Sequence, residues 1–123
     1  MRRLALITLI GLWGCVTPSI PIPPPDPGQM SFGVTTDGSG AITSASLEYP
    51  PTDNYKGGLV YVFNRSIGKG TIDTVNPDGS IGPTTPVEAT AGHSLVVTVE
   101  NDDQTVSTCV SLRADASISS VCQ

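Results

Sequence analysis

Turn-forming residues interrupt this chain at short intervals from Ser31 onward, and that spacing leaves room only for short β-strands. Clusters of Gly, Pro, Asp, Asn and Ser alternate with brief runs of Val, Ile, Thr and aromatic residues. None of these runs repeats apolar residues at the helical spacing of about 3.6 residues. The chain is therefore predicted to be all-β. The clearest turns are Asp37–Gly40, Pro50–Asn54, Asn76–Gly79 and Asn101–Gln104.

The runs between the turns predict an antiparallel β-sandwich. Apolar residues alternate along several of them, as in Leu95, Val97 and Val99, which is typical of strands with one face in a core. Many short antiparallel strands in one small domain are typical of a sandwich. The expected strands are Met30–Thr36, Ala41–Tyr49, Gly58–Asn64, Gly70–Val75, Thr85–Thr90, Ser94–Asn101, Thr105–Arg113 and Ser117–Cys122.

The run Gly58–Asn64 differs from the others because apolar residues occupy both of its faces. Tyr61 and Phe63 share one face, whereas Val60 and Val62 lie on the other. Continuous apolar runs are typical of strands inside a sheet that is covered on both faces. The sequence therefore predicts a central strand that is buried on both sides or covered by a neighbouring loop.

The N-terminal residues predict a bacterial export signal. Arg2 and Arg3 precede Leu4–Leu12, an apolar run of nine residues. That run is far shorter than the ~20 residues that a helix needs to span a bilayer. It is long enough for the apolar core of a signal peptide, and the two arginines favour a cytoplasmic N-terminus.

The end of this segment reads Leu12, Trp13, Gly14, Cys15. It resembles the lipobox of bacterial lipoproteins, in which Leu, a small or aliphatic residue, and Gly or Ala precede the lipidated Cys. Trp13 departs from that pattern. The resemblance implies diacylglyceryl transfer to the Cys15 thiol, cleavage between Gly14 and Cys15, and acylation of the new N-terminus. An ordinary secretory signal with an incidental thiol is the alternative.

The same resemblance implies a location. Two or three acyl chains anchor a protein stably, so the expected partner is a membrane, reached through covalent lipid on Cys15. Val16 stands where Asp is the usual signal for retention in the inner membrane. A place in the cell envelope is expected, in the outer membrane if the host has two membranes.

Residues Thr17–Gly28 predict a stiff linker. Six of these twelve residues are proline. Such a run favours extended polyproline II geometry, and at ~3.1 Å per residue it would hold a domain ~35–40 Å from the membrane. The predicted divisions are a signal peptide at residues 1–14, a lipidated Cys and linker at residues 15–29, and a β domain at residues 30–123.

The charge balance argues against one class of partner. The formal net charge is −5. Loss of Arg2 and Arg3 with the signal would leave four basic against 11 acidic residues, a net charge of −7. With no basic patch, we expect no nucleic-acid partner.

Cys109 and Cys122 remain as a pair if Cys15 carries lipid. An even number of cysteines in an exported protein predicts a disulfide. A hairpin centred between Asp115 and Ala116 would place these two cysteines directly opposite each other. The same register would set Val110 against Val121 on the inner side of the sheet.

The stretch from Lys56 to Leu112 carries an ordered series of strand and turn motifs. They are Gly58–Asn64, Gly68, Asp78–Ser80, Ala89–Gly92, Ser94–Val99 and Ser107. This series resembles the bacterial Ig-like modules of secreted and surface proteins. It departs from them at His93, where Asp is common, and at Ile81–Gly82, where an aromatic residue is usual. The resemblance implies an Ig-like sandwich but no particular activity.

No residue pattern predicts catalysis, a metal or a cofactor. His93 is the only histidine and follows a turn glycine, so we expect a surface position at the start of a strand. Without a second His or a free Cys, a zinc site lacks ligands. The acidic turn Asn101–Asp103 lacks the spacing of a calcium loop. No Gly-x-Ser-x-Gly motif is present, and Glu48, Glu88 and Glu100 are expected to point outward.

Two functions follow as hypotheses. The first is a lipid-anchored envelope protein that presents a binding or structural Ig-like module, not an enzyme, with an envelope protein or polysaccharide as its candidate partner. The alternative is a small envelope-polysaccharide hydrolase or a hydrolase accessory factor. The tyrosines could form a carbohydrate-stacking surface, although core and loop packing is the simpler expectation. They are Tyr49, Tyr55 and Tyr61.

Overall fold

The computed structural model describes residues 21–122, so the predicted signal peptide and Gly14–Cys15 lie outside the described residues. The described part contains eight strands and two short 3₁₀ turns, and it has no α-helix. The strands are β1 (Ser31–Thr36), β2 (Ile42–Glu48), β3 (Leu59–Asn64), β4 (Lys69–Thr74), β5 (Val87–Glu88), β6 (Ser94–Asn101), β7 (Gln104–Leu112) and β8 (Ile118–Ser119).

The strands form two antiparallel sheets. The small sheet has the order β1-β2-β5, and the large sheet has the order β4-β3-β6-β7-β8. The all-β sandwich is therefore confirmed, and each of the eight predicted strands is present. β5 is much shorter than predicted, because Pro86 directly precedes it and has no N–H to donate to a ladder.

The inner faces of the two sheets form one apolar core. Leu95, Val97 and Val99 of β6 are fully buried, as their alternation predicted. Leu47 of β2 is also fully buried and belongs to the same core. The outward positions of Glu48, Glu88 and Glu100 are also confirmed, since all three are exposed.

β3 is a central strand as predicted, but it is not buried on both sides. It lies between β4 and β6, and its inner residues Val60 and Val62 are each only 1% exposed. Its outer residue Phe63 is 43% exposed. The apolar run misled the prediction because no second layer of the described residues covers the outer face of the large sheet.

The C-terminal hairpin is shifted by one residue from its predicted register. Ser111 pairs with Ser119, so the hairpin is centred on Asp115. Ala116 adopts a positive φ of 69° and completes a three-residue loop, which moves the centre by half a residue. Consequently Val121 does not face Val110 and is instead 68% exposed.

The proline-rich segment is not a free spacer along its whole length. Residues 22–26, here called the docked segment, lie against the sandwich and run beside β7 in the same direction. The Ile22 N–H donates to Gln104 Oε1 at 2.7 Å, and the Thr108 hydroxyl donates to the Pro25 carbonyl at 2.5 Å. Pro25 is fully buried, and a 3₁₀ turn follows at Pro27–Gln29.

Two tyrosines hold the docked segment to the domain. The Tyr55 hydroxyl donates to the Pro23 carbonyl at 2.7 Å, and the Asp26 N–H donates to the Tyr49 hydroxyl at 3.0 Å. Proline carbonyls, unlike the missing proline N–H groups, remain available as acceptors, so a proline-rich segment can pack against the domain as well as extend from it. Among the described residues, packing against the domain therefore includes Ile22 and is already present before Met30.

The sandwich has two ends, which we name by their contents. The proline pole holds the β6–β7 turn, the Asp53–Tyr55 3₁₀ turn and the start of the docked segment. The histidine pole holds four connections that join strands at the other end. These are residues 37–41, 65–68, 89–93 and 113–117.

Three turns share an Asp-x-Ser motif that the sequence analysis did not identify as a repeat. In each, the Asp carboxylate accepts from both the hydroxyl and the N–H of the Ser two residues later, as in Asp37 and Ser39. These hydrogen bonds hold the pKa of each carboxyl below its ordinary value of 3.8. The three pairs are Asp37–Ser39, Asp78–Ser80 and Asp115–Ser117.

We predict that Tyr55→Phe lowers the free energy of unfolding by about 1–2 kcal/mol, because it leaves the Pro23 carbonyl without its hydroxyl partner. Urea denaturation of the purified protein measures the change. Tyr61→Phe is the matched control, since it removes an exposed hydrogen bond to Glu100 and should cost less than about 0.5 kcal/mol. Equal effects of the two substitutions would contradict the structural role of the docked segment.

We also predict that acid weakens the Asp-x-Ser turns. Each folded-state pKa lies below the unfolded value of 3.8, so the stabilisation is complete above that pH and is lost as the pH falls through the lower folded-state values. The urea midpoint should therefore drop between about pH 4 and pH 2. A variant with Ser39, Ser80 and Ser117 all changed to Ala should show a shallower drop, and an unchanged slope would refute this account.

Candidate functional site

The most organised polar cluster of the described residues lies at the histidine pole. Asn64 ends β3 and is fully buried beneath the loop that leads into β6. Its side-chain amide donates to the Glu88 carbonyl and to His93 Nδ1, both at 2.9 Å. Its Oδ1 accepts from the Ser66 N–H at 3.0 Å. Asn64 thus joins the large sheet to β5 of the small sheet and also orients the imidazole.

The contacts of His93 fix its tautomer. Nδ1 faces two N–H donors, the Asn64 amide and the Thr90 backbone N–H at 3.3 Å. A nitrogen between two donors must be an acceptor, so the ring proton lies on Nε2. Protonation of Nδ1 would break both hydrogen bonds. The ring is therefore held as a structural acceptor, and Nε2 can donate a hydrogen bond but cannot accept a proton in this tautomer.

A shallow cleft of about 280 Å³ opens beside the imidazole, lined by Ile42, Ile67, Glu88 and His93 among others. Glu88 is not available as a lone carboxylate, because Lys69 Nζ lies 2.6 Å from its Oε2. The hydrogen bond and charge of Lys69 lower the pKa of Glu88. The cleft thus has a donor, an ion pair and an apolar wall, which suits weak binding of a polar group better than proton transfer.

The surface position predicted for His93 is correct in part. The residue follows Gly92 and directly precedes β6, as expected, but it is half-buried. Sequence reasoning missed its partnership with Asn64, because the two residues are 29 positions apart and meet only when β3 and β6 pair.

The acidic turn between β6 and β7 does not gather metal ligands. Asn101 Nδ2 donates to the Asn54 carbonyl at 3.0 Å, and Asp102 takes a positive φ of 53° to close the turn. Among residues 21–122, no group of three or more His, Cys, Asp or Glu side chains could hold a metal ion.

The three tyrosines do not form one stacking surface. The rings of Tyr49 and Tyr55 are 5.8 Å apart at a tilt of 50°, and both residues are buried at the proline pole. Burial raises the pKa of Tyr55. Tyr61 lies on the outer face of the large sheet, where its hydroxyl donates to Glu100 at 3.1 Å. Core packing therefore accounts for two of the three tyrosines.

The outer face of the large sheet carries an apolar patch that sequence reasoning missed. Phe63 on β3 pairs with Val96 on β6, and Ile72 on β4, which is 63% exposed, pairs with Tyr61 on the same face of β3. Phe63 and Val96, with Tyr61 and Arg65, border a shallow groove of about 560 Å³. Alternation predicted that Tyr61 and Phe63 share a face, but only the open architecture shows that this face is solvent-exposed.

The structure brings Cys109 and Cys122 to disulfide distance, with their Cα atoms 5.6 Å apart. The pairing predicted from cysteine parity therefore fits the fold, although the predicted register does not. Cys109 lies on the outer face of β7, and Cys122 follows β8 beyond the last paired residue. The bridge would tie the C-terminal end to the large sheet.

Comparison with known proteins adds no relative. No protein-family model, curated protein or solved structure matches this chain. Within residues 21–122, no helix has the length and apolar character to cross a bilayer.

We predict that the Cys109–Cys122 bridge contributes about 3 kcal/mol to stability, the chain-entropy estimate for a loop with a sequence separation of 13. Urea denaturation with and without reductant measures this contribution. Changing Cys109 and Cys122 together to Ala should remove the sensitivity to reductant. If the unmodified protein unfolds identically under both conditions, the bridge is absent or contributes nothing.

Proposed function

We propose that this protein is a bacterial lipoprotein, anchored in the cell envelope by lipid on Cys15. One observation carries the proposal, namely the Cys at the end of a short apolar segment that follows two arginines. Cleavage between Gly14 and Cys15 would remove the signal peptide and leave a mature protein whose N-terminal Cys15 is held in the membrane by covalent acyl chains. In a host with two membranes, Val16 favours the outer membrane.

A second observation supports export independently of the signal. Cys109 on β7 and Cys122 just after β8 are 13 positions apart and lie at disulfide distance. Structural disulfides persist in oxidising compartments and are rare in the cytosol. The sequence has three cysteines. If Cys15 is acylated, Cys109 and Cys122 are the two that remain available for a disulfide.

We propose that the domain is a binding or structural module of the cell envelope and not an enzyme. The described surface offers an apolar patch around Phe63 and a shallow cleft beside His93, and the cleft holds its imidazole as a hydrogen-bond acceptor at Nδ1. We assign the sandwich to the bacterial Ig-like modules as part of this proposal, on the motif series from Gly58 to Ser107. Sandwich domains commonly bind through loops that cluster at one end.

The alternative, a hydrolase or accessory factor for envelope polysaccharide, has one observation in its favour. His93 and Glu88 line the same cleft. Two contacts weigh against it. The Asn64 and Thr90 donors occupy the acceptor nitrogen Nδ1 of His93, so the ring proton lies on Nε2, and Nε2 has no lone pair with which to act as a base. Lys69 forms an ion pair with Glu88. The binding module is therefore the better supported proposal.

We predict that Cys15→Ser abolishes membrane association. Without the thiol no diacylglyceryl group can be attached, so the variant should leave the detergent phase in a two-phase extraction. Intact mass spectrometry of the membrane-extracted wild-type protein should show loss of residues 1–14 and added acyl mass. The measured mass should also be two hydrogen masses below that of the reduced protein, because Cys109 and Cys122 form a disulfide.

Two controls make this test specific. Changing Cys109 and Cys122 together to Ala should leave detergent partitioning intact, because the β domain is not the anchor. Trp13→Ala, which restores a small residue before Gly14, should preserve or improve processing. Partitioning of Cys15→Ser with the detergent would refute the lipoprotein proposal.

A further inference from the structure

The docked segment places Ile22, the described residue nearest to Cys15 that contacts the sandwich, at one pole of the domain. The Ile22 N–H donates a hydrogen bond to the Gln104 side chain at the start of β7, and the Tyr55 hydroxyl donates to the carbonyl of the next residue, Pro23. Both partners belong to the proline pole. Any anchor that precedes Ile22 in the chain is therefore attached at this pole, and not at the pole that carries His93.

The length of chain between anchor and domain is short. Seven residue steps separate Cys15 from Ile22, which at no more than ~3.6 Å each span at most ~25 Å. β7 has nine residues and at ~3.4 Å each runs ~30 Å from one pole to the other. The tether is thus no longer than the domain, so the domain cannot turn over and bring its histidine pole to the bilayer.

Charge is distributed unevenly between the two halves of the sandwich. The half toward the histidine pole holds three acidic and three basic side chains, namely Asp37, Glu88, Asp115, Arg65, Lys69 and Arg113. The half toward the proline pole holds the other eight acidic residues and one base. They are Asp26, Glu48, Asp53, Asp73, Asp78, Glu100, Asp102, Asp103 and Lys56.

Neither half therefore carries an excess of basic residues that would draw the domain flat onto anionic headgroups. The acidic half lies nearest the anchor, so an anionic surface would repel this half and oppose the domain lying flat on it. The short tether and the charge distribution both favour an orientation in which the proline pole lies nearer the membrane than the histidine pole.

We propose that, on the lipid-anchored protein, the proline pole faces the bilayer and the histidine pole points away from it. This inference rests on the lipid anchor of the proposed function. It places the four connections of the histidine pole, with the cleft beside His93, at the far end of the molecule. The acidic β6–β7 turn lies near the headgroups.

Energy transfer on vesicles tests this orientation. The lipidated full-length protein is reconstituted into phosphatidylcholine vesicles that contain rhodamine-labelled phosphatidylethanolamine as acceptor. A donor dye is placed on Asp103→Cys at the proline pole or on Gly38→Cys at the histidine pole; both positions are exposed. Transfer from the Asp103 position should exceed transfer from the Gly38 position several-fold. Equal or reversed efficiencies would overturn the orientation.

Two further variants separate the possible failures. Insertion of twenty Gly and Ser residues after Val16 should reduce the difference between the two labels, because the longer tether lets the domain turn. Cys15→Ser should not float with the vesicles. If the processed wild-type protein also fails to float, the anchor and the orientation both fall. If it floats but both labels transfer equally, only the orientation is wrong.

Discussion

The burial of two apolar sheet faces against each other is the interaction on which the rest of this structure depends. Leu47 of β2 and Val97 of β6 are completely removed from solvent, and each comes from a different sheet. Apolar burial of this kind is the dominant favourable term in folding. It sets the distance between the sheets, and that distance determines which polar side chains can form hydrogen bonds from one sheet to the other.

The two open sides of the sandwich are closed in different ways. On one side, Asp73 of β4 accepts from Thr85 in the connection before β5, and Lys69 of β4 pairs with Glu88 of β5. On the other side, the docked segment lies along β7 and buries Pro25. Inside the histidine pole the buried Asn64 links the sheets through its amide. Within residues 21–122 no buried side-chain nitrogen or oxygen is left without a partner.

The sequence predicted the strands well and the covering layers poorly. Alternation identified the buried face of β6, and parity identified the cysteine pair, because both signals are local or depend on simple counting. It misjudged β3, since apolar residues such as Phe63 have the same pattern whether or not another layer covers them. It did not predict that part of the proline-rich segment docks, since proline content reports on backbone conformation but not on whether Pro25 packs against a surface. The one-residue shift of the last hairpin came from Ala116, whose positive φ is uncommon for a residue with a Cβ.

The sequence by itself determined the all-β class, the order of strands and turns, and the motif at Cys15, because periodicity, turn chemistry and short motifs are properties of neighbouring residues. Only the tertiary structure decided that Asn64 orients His93, that Lys69 neutralises Glu88, and that the chain enters the domain beside Gln104. These contacts join residues that are far apart in sequence. They arise when strands pair and sheets stack, and no local pattern encodes the distance between two side chains on different strands.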